Sequence, residues 1–174
     1  MCSTLYAYFW YTLGDKSYYP SNAEKIASNL FGMYHSGTNN YIKDNVMKSL
    51  ADPWGKLRIV FATVALGMGV NLADVNRVVH YGAPRSLEDY FQESGRGGRT
   101  GEQAYSTVYW CCKDAPKYKD LSDHRKKEVV LVRSYLENRS VCRRQQLLEY
   151  FVEGLDDACK ADVTLCCDVC NKKY

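Results

Sequence analysis

QESGRGGRTG, residues 92–101, sets two arginines three apart among glycines, directly behind a segment whose Leu87, Tyr90 and Phe91 recur at helical spacing. A guanidinium is always charged, and its planar fork of donors fits phosphate oxygens. Glycines let the backbone come close to a ligand. The pentapeptide GRGGR alone fits a solvated loop or an arginine- and glycine-rich nucleic-acid contact equally well. Upstream stands ATVALGMGVNLADVNRVVHYG, residues 62–82, in which a strand ends in a small-residue loop and a second strand follows.

Outward from these two runs, strands alternate with helices. Leu5 to Thr12 reads as a first strand, and Ser21 with Glu24 forms a capping box for a helix reaching about Leu30. Met33 to His35 is a short strand before the Ser36-Gly37 turn. A helix from Asn40 to Leu50 ends at Asp52-Pro53-Trp54-Gly55, and Arg58 to Thr63 is a buried strand. Val75 to Tyr81 is another strand, Ser86 caps the helix that precedes the arginines, and Tyr105 to Trp110 is a further strand. The fold class is therefore α/β, a parallel sheet with flanking helices, with ligands expected at the carboxyl ends of the strands. Beyond Lys113 only helical patterns remain: Val129, Val132 and Leu136, then Leu147, Leu148, Phe151 and Val152. The domain boundary is placed near residue 115, dividing the chain into 1–115 and 116–174.

The chain has 174 residues, 46% hydrophobic and 25% charged, enough for one core and a small satellite. No stretch has the unbroken apolar length of a bilayer span, so no membrane partner is expected. The apolar run Leu5 to Leu13 lacks a basic leader and a small-residue cleavage site, so the chain is expected not to be secreted. Net charge is +3, and the basic excess is concentrated: residues 117–144 hold nine Lys or Arg against four Asp or Glu. That segregation suits phosphate contacts as well as a solvated helix face.

Of eight cysteines, five lie from Cys142 onward, where a disulfide scaffold would spread them. Cys142, Cys159 and the C-x-x-C pair Cys167 and Cys170 make a four-thiolate set that closes a tetrahedral zinc site with no place for water, hence structural zinc. Cys166 is adjacent and is an alternative to Cys167, which has the preferred spacer. Asp89 and Glu93 read as surface charges on the helix, and Cys111 and Cys112 as core or strand-end thiols.

The two runs quoted first resemble motifs V and VI of superfamily 2 helicases of the RecQ type. CRRQQLLEYF, residues 142–151, resembles the CRR-x-x-LL-x-YF signature of the RecQ zinc-binding subdomain. The resemblance makes 1–115 a second RecA-like lobe and 116–174 a helical zinc-binding subdomain. It implies that Thr63 touches a DNA backbone and that Gly69 and Asn71 approach the ribose of ATP, although the family's usual GMGID reads GMGVN here. Arg96 and Arg99 would reach the γ-phosphate, Arg99 as arginine finger, with Gln92 positioning them. Gly98 and Thr100 replace the family's alanine and aspartate. YHSGT, residues 34–38, resembles a segment near the nucleic-acid path, which gives His35, Ser36 and Gly37 a DNA-facing role. Arg143 and Arg144 either contact phosphates or pair with Glu149 or Glu153.

These 174 residues contain no P-loop and no DEAH-like box. The resemblance therefore implies half of an ATP-dependent 3'-5' DNA helicase, inactive alone. ATP and magnesium would be held only with a first RecA-like lobe, supplied in cis or in trans, and single-stranded or branched DNA would be the partner. The Cys159 to Cys167 spacer resembles eukaryotic members, pointing to the nucleus; a bacterial chain would be cytoplasmic. The alternative is a non-catalytic, truncated, zinc-stabilised nucleic-acid-binding module.

Overall fold

The aromatic run at the N-terminus folds as a helix, α1 (Cys2–Leu13), and not as the strand expected over Leu5 to Thr12. The half-buried positions explain why: apart from Ala7 they are Cys2, Leu5, Tyr6, Phe9 and Leu13, which recur at helical spacing, a period that the high aromatic content masks. Gly14 stops the helix at φ 50, a conformation that favours glycine, and returns its N–H to the Trp10 carbonyl. The computed structural model describes residues 1–20, 28–52, 54–63, 66, 75–111, 113, 121–152 and 162–171. The capping box of Ser21 and Glu24 and the turn residue Pro53 lie outside these.

The chain divides into two compact units, Met1–Val75 with Gly98–Gly101, and Asn76–Gly97 with Glu102–Tyr174. In the first, β1 (Phe31–Tyr34) leads through α2 (Asn40–Ala51) to β2 (Ile59–Ala62), which pairs parallel with β1 in the register Phe31 to Ile59 through Tyr34 to Ala62. A helical crossover is what a parallel pair requires. The helix expected to reach Leu30 does not do so, because Asn29 forms an antiparallel bridge with Tyr18. Asn39 caps α2 by accepting from the Tyr41 N–H.

Phe31, 1% exposed, anchors this unit. Tyr6 and Phe61 meet it edge-on at 5.4 and 6.2 Å, and Phe9 meets Phe61 at 5.0 Å. The strand expected to be buried at Arg58 to Thr63 is only half-covered: Phe61 meets α1 while Ile59 stays 42% exposed.

The second unit repeats the topology. β3 (Arg77–Tyr81) passes through α3 (Leu87–Ser94) to β4 (Tyr105–Tyr109), parallel from Arg77 with Tyr105 to Tyr81 with Tyr109. Ser86 caps α3, its hydroxyl accepting from the Asp89 N–H. Then follow α4 (Asp123–Glu137), α5 (Arg143–Phe151) and α6 (Val163–Cys166). Leu87 and Tyr90 of α3 form one buried cluster with Val132 and Tyr135 of α4, bordered by Val108, Leu136 and Leu147. This core takes residues from both sides of residue 115. Phe91, expected on the apolar face, is 44% exposed and meets the Phe151 ring at a tilt, 4.8 Å between centroids.

Candidate metal centre and phosphate-facing residues

Cys142 is the N-cap of α5, and Cys166 closes α6 before Cys167 turns extended. The thiol sulfurs of Cys142, Cys166, Cys167 and Cys170 all lie within 4.8 Å of one another, and Cys142 Sγ is 3.6 Å from Cys166 Sγ. A tetrahedral ion with metal–sulfur bonds of about 2.3 Å needs sulfurs about 3.8 Å apart, so the donor set fits zinc with small adjustments. The Cys170 N–H donates to Cys167 Sγ at 3.4 Å, the kind of bond that steadies a thiolate in a knuckle. Cys159, expected as a ligand, lies outside the described residues, and Cys166 stands fourth in the described cluster.

The knuckle is clipped to α5 by charge. Arg143 donates to both carboxylate oxygens of Asp168, its Nη2 at 2.9 Å, and also to the Tyr135 carbonyl at 2.7 Å and the Asn138 carbonyl at 3.2 Å. Its guanidinium also lies over the Tyr135 ring. Burial raises the Asp168 carboxyl, but the hydrogen bonds and charge of Arg143 outweigh it, leaving the group below its ordinary range. Burial, followed by the neighbouring Tyr90, holds the Tyr135 phenol far above its ordinary value, so it stays neutral. Among the described residues the acid that engages Arg143 is Asp168; Glu153 lies outside them, and Arg144 is exposed. Along α4 three basic side chains are paired locally, Arg125 with Glu128, Lys126 with Asp123 and Arg133 with Glu137.

In the arginine run, Gln92 lies exposed on α3 and Arg96 in the turn that follows, its N–H bonded to the Glu93 carbonyl. Gly98 has φ 72 and donates to the Val75 carbonyl at 2.9 Å, so the residue that differs from the family's alanine occupies a backbone state where alanine would be strained. Arg99 is exposed in the same turn.

Sequence reasoning missed how α3 is held. Glu93, read as a surface charge, contacts Nδ1 of buried His80 at 3.0 Å; on the other side of that ring Nε2 is 3.5 Å from Ser94 Oγ, itself 2.9 Å from Ser106 Oγ. The end of α3 is thereby tied to β3 and β4. The available signal was a histidine at a strand position in VVHY.

In the first unit, the structure brings His35, Ser36 and Gly37 beside Thr63. All four follow the carboxyl ends of paired strands, and the Thr63 N–H donates to the Tyr34 carbonyl at 3.2 Å. His35 Nδ1 accepts from the Gly37 N–H at 3.0 Å, so the neutral ring carries its hydrogen on Nε2. Gly69, Asn71 and Cys112 lie outside the described residues, and Cys111 is exposed past the end of β4.

The family of helicase conserved C-terminal domains matches residues 17–101, and the RecQ zinc-binding family matches residues 103–171. The chain belongs to the RecQ-type C-terminal helicase region. This RecQ-type region is 33% identical to the RecQ-like DNA helicase blm-1 of Caenorhabditis elegans, over 81% of this chain and 15% of that protein. It is 31% identical to the ATP-dependent DNA helicase hus2/rqh1 of Schizosaccharomyces pombe, over 85% of this chain and 12% of that one. It is 34% identical to the bifunctional 3'-5' exonuclease/ATP-dependent helicase WRN of Mus musculus, over 80% and 11%. The RecQ-type region therefore spans a small part of each relative. The cysteine cluster together with the zinc-binding match supports a structural zinc, which would brace α5 against the knuckle and leave no position for water. No helix among the described residues is long and apolar enough to cross a membrane.

Proposed function

We propose that this RecQ-type region is the second RecA-like lobe, 1–115, and zinc-binding subdomain, 116–174, of an ATP-dependent DNA helicase that moves 3'-5' on single-stranded or branched DNA in the nucleus. The observation that carries the reading is the anchoring of α3: His80 with Glu93, and Ser94 with Ser106, fix the end of the helix that leads into Arg96. An arginine held on a rigid element stabilises charge in a phosphoryl-transfer transition state without reorganising first. Arg99 acts as the finger, Arg96 binds the same phosphates and Gln92 positions them. Gly69 and Asn71 meet the ribose of ATP, with magnesium and the P-loop belonging to a first lobe in cis or in trans.

Thr63 with His35, Ser36 and Gly37 follows the DNA backbone, a role supported by their gathering at one end of the β1 and β2 pair. Arg144 contacts phosphate. Arg143 would do so only by giving up Asp168. The zinc is held by Cys142, Cys167 and Cys170 with Cys159 or Cys166.

The test mixes the chain with a separately made RecQ-type first lobe and measures DNA-stimulated ATP hydrolysis. The chain alone is expected to be silent and the mixture active. Arg99→Ala should reduce the mixture's rate by about 10³ to 10⁵, the range known for arginine fingers. Hydrolysis unchanged by Arg99→Ala would sink the assignment.

A further inference from the structure

The β3 and β4 pair covers one of its faces and leaves the other open. Side chains alternate across a sheet, and residues paired in register share a face. His80 is buried against Tyr90 and Glu93 of α3, Ser106 meets Ser94 of the same helix, and Val108 borders the buried cluster, so one face carries the helices. The opposite face holds Arg77, Val79 and Tyr81 beside their register partners Tyr105, Thr107 and Tyr109. On it Val79 is 53% exposed, Tyr81 56%, Tyr105 46% and Tyr109 62%.

The composition of that face is unlike a core. Val79 is its one purely aliphatic side chain, and a second apolar layer laid over it would leave three phenol hydroxyls and a guanidinium without partners, a cost for each group so buried. Neither strand contains Asp or Glu. Among the described residues no carboxylate pairs with Arg77, whose guanidinium lies over the Tyr105 ring at 5.9 Å. The face therefore offers aromatic rings, hydroxyls at their tips and positive charge without negative. An unpaired base complements each of these, with a π face, polar edges and a phosphate backbone.

We propose that the open face of β3 and β4 is a stacking platform for the unpaired bases of single-stranded nucleic acid. Tyr81 and Tyr109, partners in register on strands about 4.8 Å apart, form one step of it. Tyr105 with Arg77 forms a second, about 13 Å away along β4 at about 3.3 Å per residue. Stacking of this kind tolerates any sequence, because every base has a π face. The platform belongs wholly to the second unit and uses neither the arginine turn nor the cysteine cluster, so it stands apart from the proposed hydrolysis of ATP.

The test measures binding of the full chain to a fluorescent oligothymidine and to a duplex of equal length, by anisotropy over a range of salt. Tyr81→Ala/Tyr109→Ala is expected to weaken oligothymidine binding by about 5- to 100-fold, the range for losing a base stack, with duplex affinity unchanged. Tyr81→Phe/Tyr109→Phe keeps the rings and should keep the affinity. Arg77→Ala should lower the salt slope by about one, as for a lost phosphate contact. The platform is overturned if the unmodified chain does not bind oligothymidine, if the alanine pair binds it as well as the unmodified chain, or if single-strand and duplex affinities fall together. Phenylalanine variants as weak as the alanine ones also overturn it, since the hydroxyls and not the rings would then bind. A dimer in sedimentation that the alanine pair dissolves, with oligothymidine affinity unchanged, would give the face to a second copy instead. His35→Ala, in the first unit, separates the two readings: a silent His35→Ala counts against the first unit's DNA-facing role and leaves the platform standing.

Discussion

The two units share a topology and differ in what holds them. In the first, one fully buried ring, Phe31, is surrounded by aromatic side chains from α1 and β2, and α1 itself buries no residue completely. In the second, β3 and β4 support a helical stack through a small apolar cluster, then a polar chain from His80 to Ser106, and finally an ion pair beside the cysteine cluster. Apolar ring contacts centre the first unit's core. Directional contacts accumulate where side chains must be aimed, because a hydrogen bond fixes angle as well as distance.

The most forceful way to break this comparison is to remove zinc. Structural zinc binds with on the order of 10 kcal/mol or more, which becomes folding free energy for the residues it gathers. Chelation should therefore abolish amide-exchange protection in α5 and α6 and leave β1 and β2 protected. Equal loss in both units would mean that the difference between them is illusory.

Next comes Phe31→Ala. Removing a fully buried phenyl ring costs about 3 to 5 kcal/mol, read as a shift in the denaturant midpoint of the first unit. Leu87→Ala in the second should cost about 2 to 5 kcal/mol by the same mechanism. If Phe31→Ala were the milder of the two, the first unit would not hang on a single ring.

A smaller effect concerns acid. Because the Asp168 carboxyl sits below its ordinary value, its contribution is present above the unfolded value, about 3.9, and is lost as pH falls through the lower folded value. Asp168→Asn should cost about 1 to 3 kcal/mol at neutral pH, as expected for hydrogen bonds to a charged group. It should also flatten the acid limb of the melting curve relative to the unmodified chain at equal zinc occupancy. An unchanged acid limb would assign that limb to thiolate protonation alone. Smallest are the caps: Ser86→Ala on α3 and Asn39→Ala on α2 should each cost about 1 kcal/mol, and a matched pair of values would show that local helix starts are alike in both units.

The same contrast governs what the sequence made legible. α2, β4 and the start of α3 lie within a residue or two of their expected places because caps and apolar patterning are local signals. The cysteines and the arginine turn were recognisable because their residue types have few other uses at that spacing. α1 was misread because a run in which nearly every residue is apolar or aromatic supports either period. Glu93 and Asp168 were not legible as partners, since His80 lies thirteen residues before the first and Arg143 twenty-five before the second. Only the fold brings such pairs together.

The buried cluster that joins Leu87 and Tyr90 to Val132 and Tyr135 also bears on the chain's fate in a cell. A product ending near residue 115 would carry the arginine turn and its helix, but would turn a bare apolar face to water. Such a face invites self-association and clearance by proteases. Damage to the far end of the subdomain should then appear first as a loss of protein abundance, before any step in catalysis is reached.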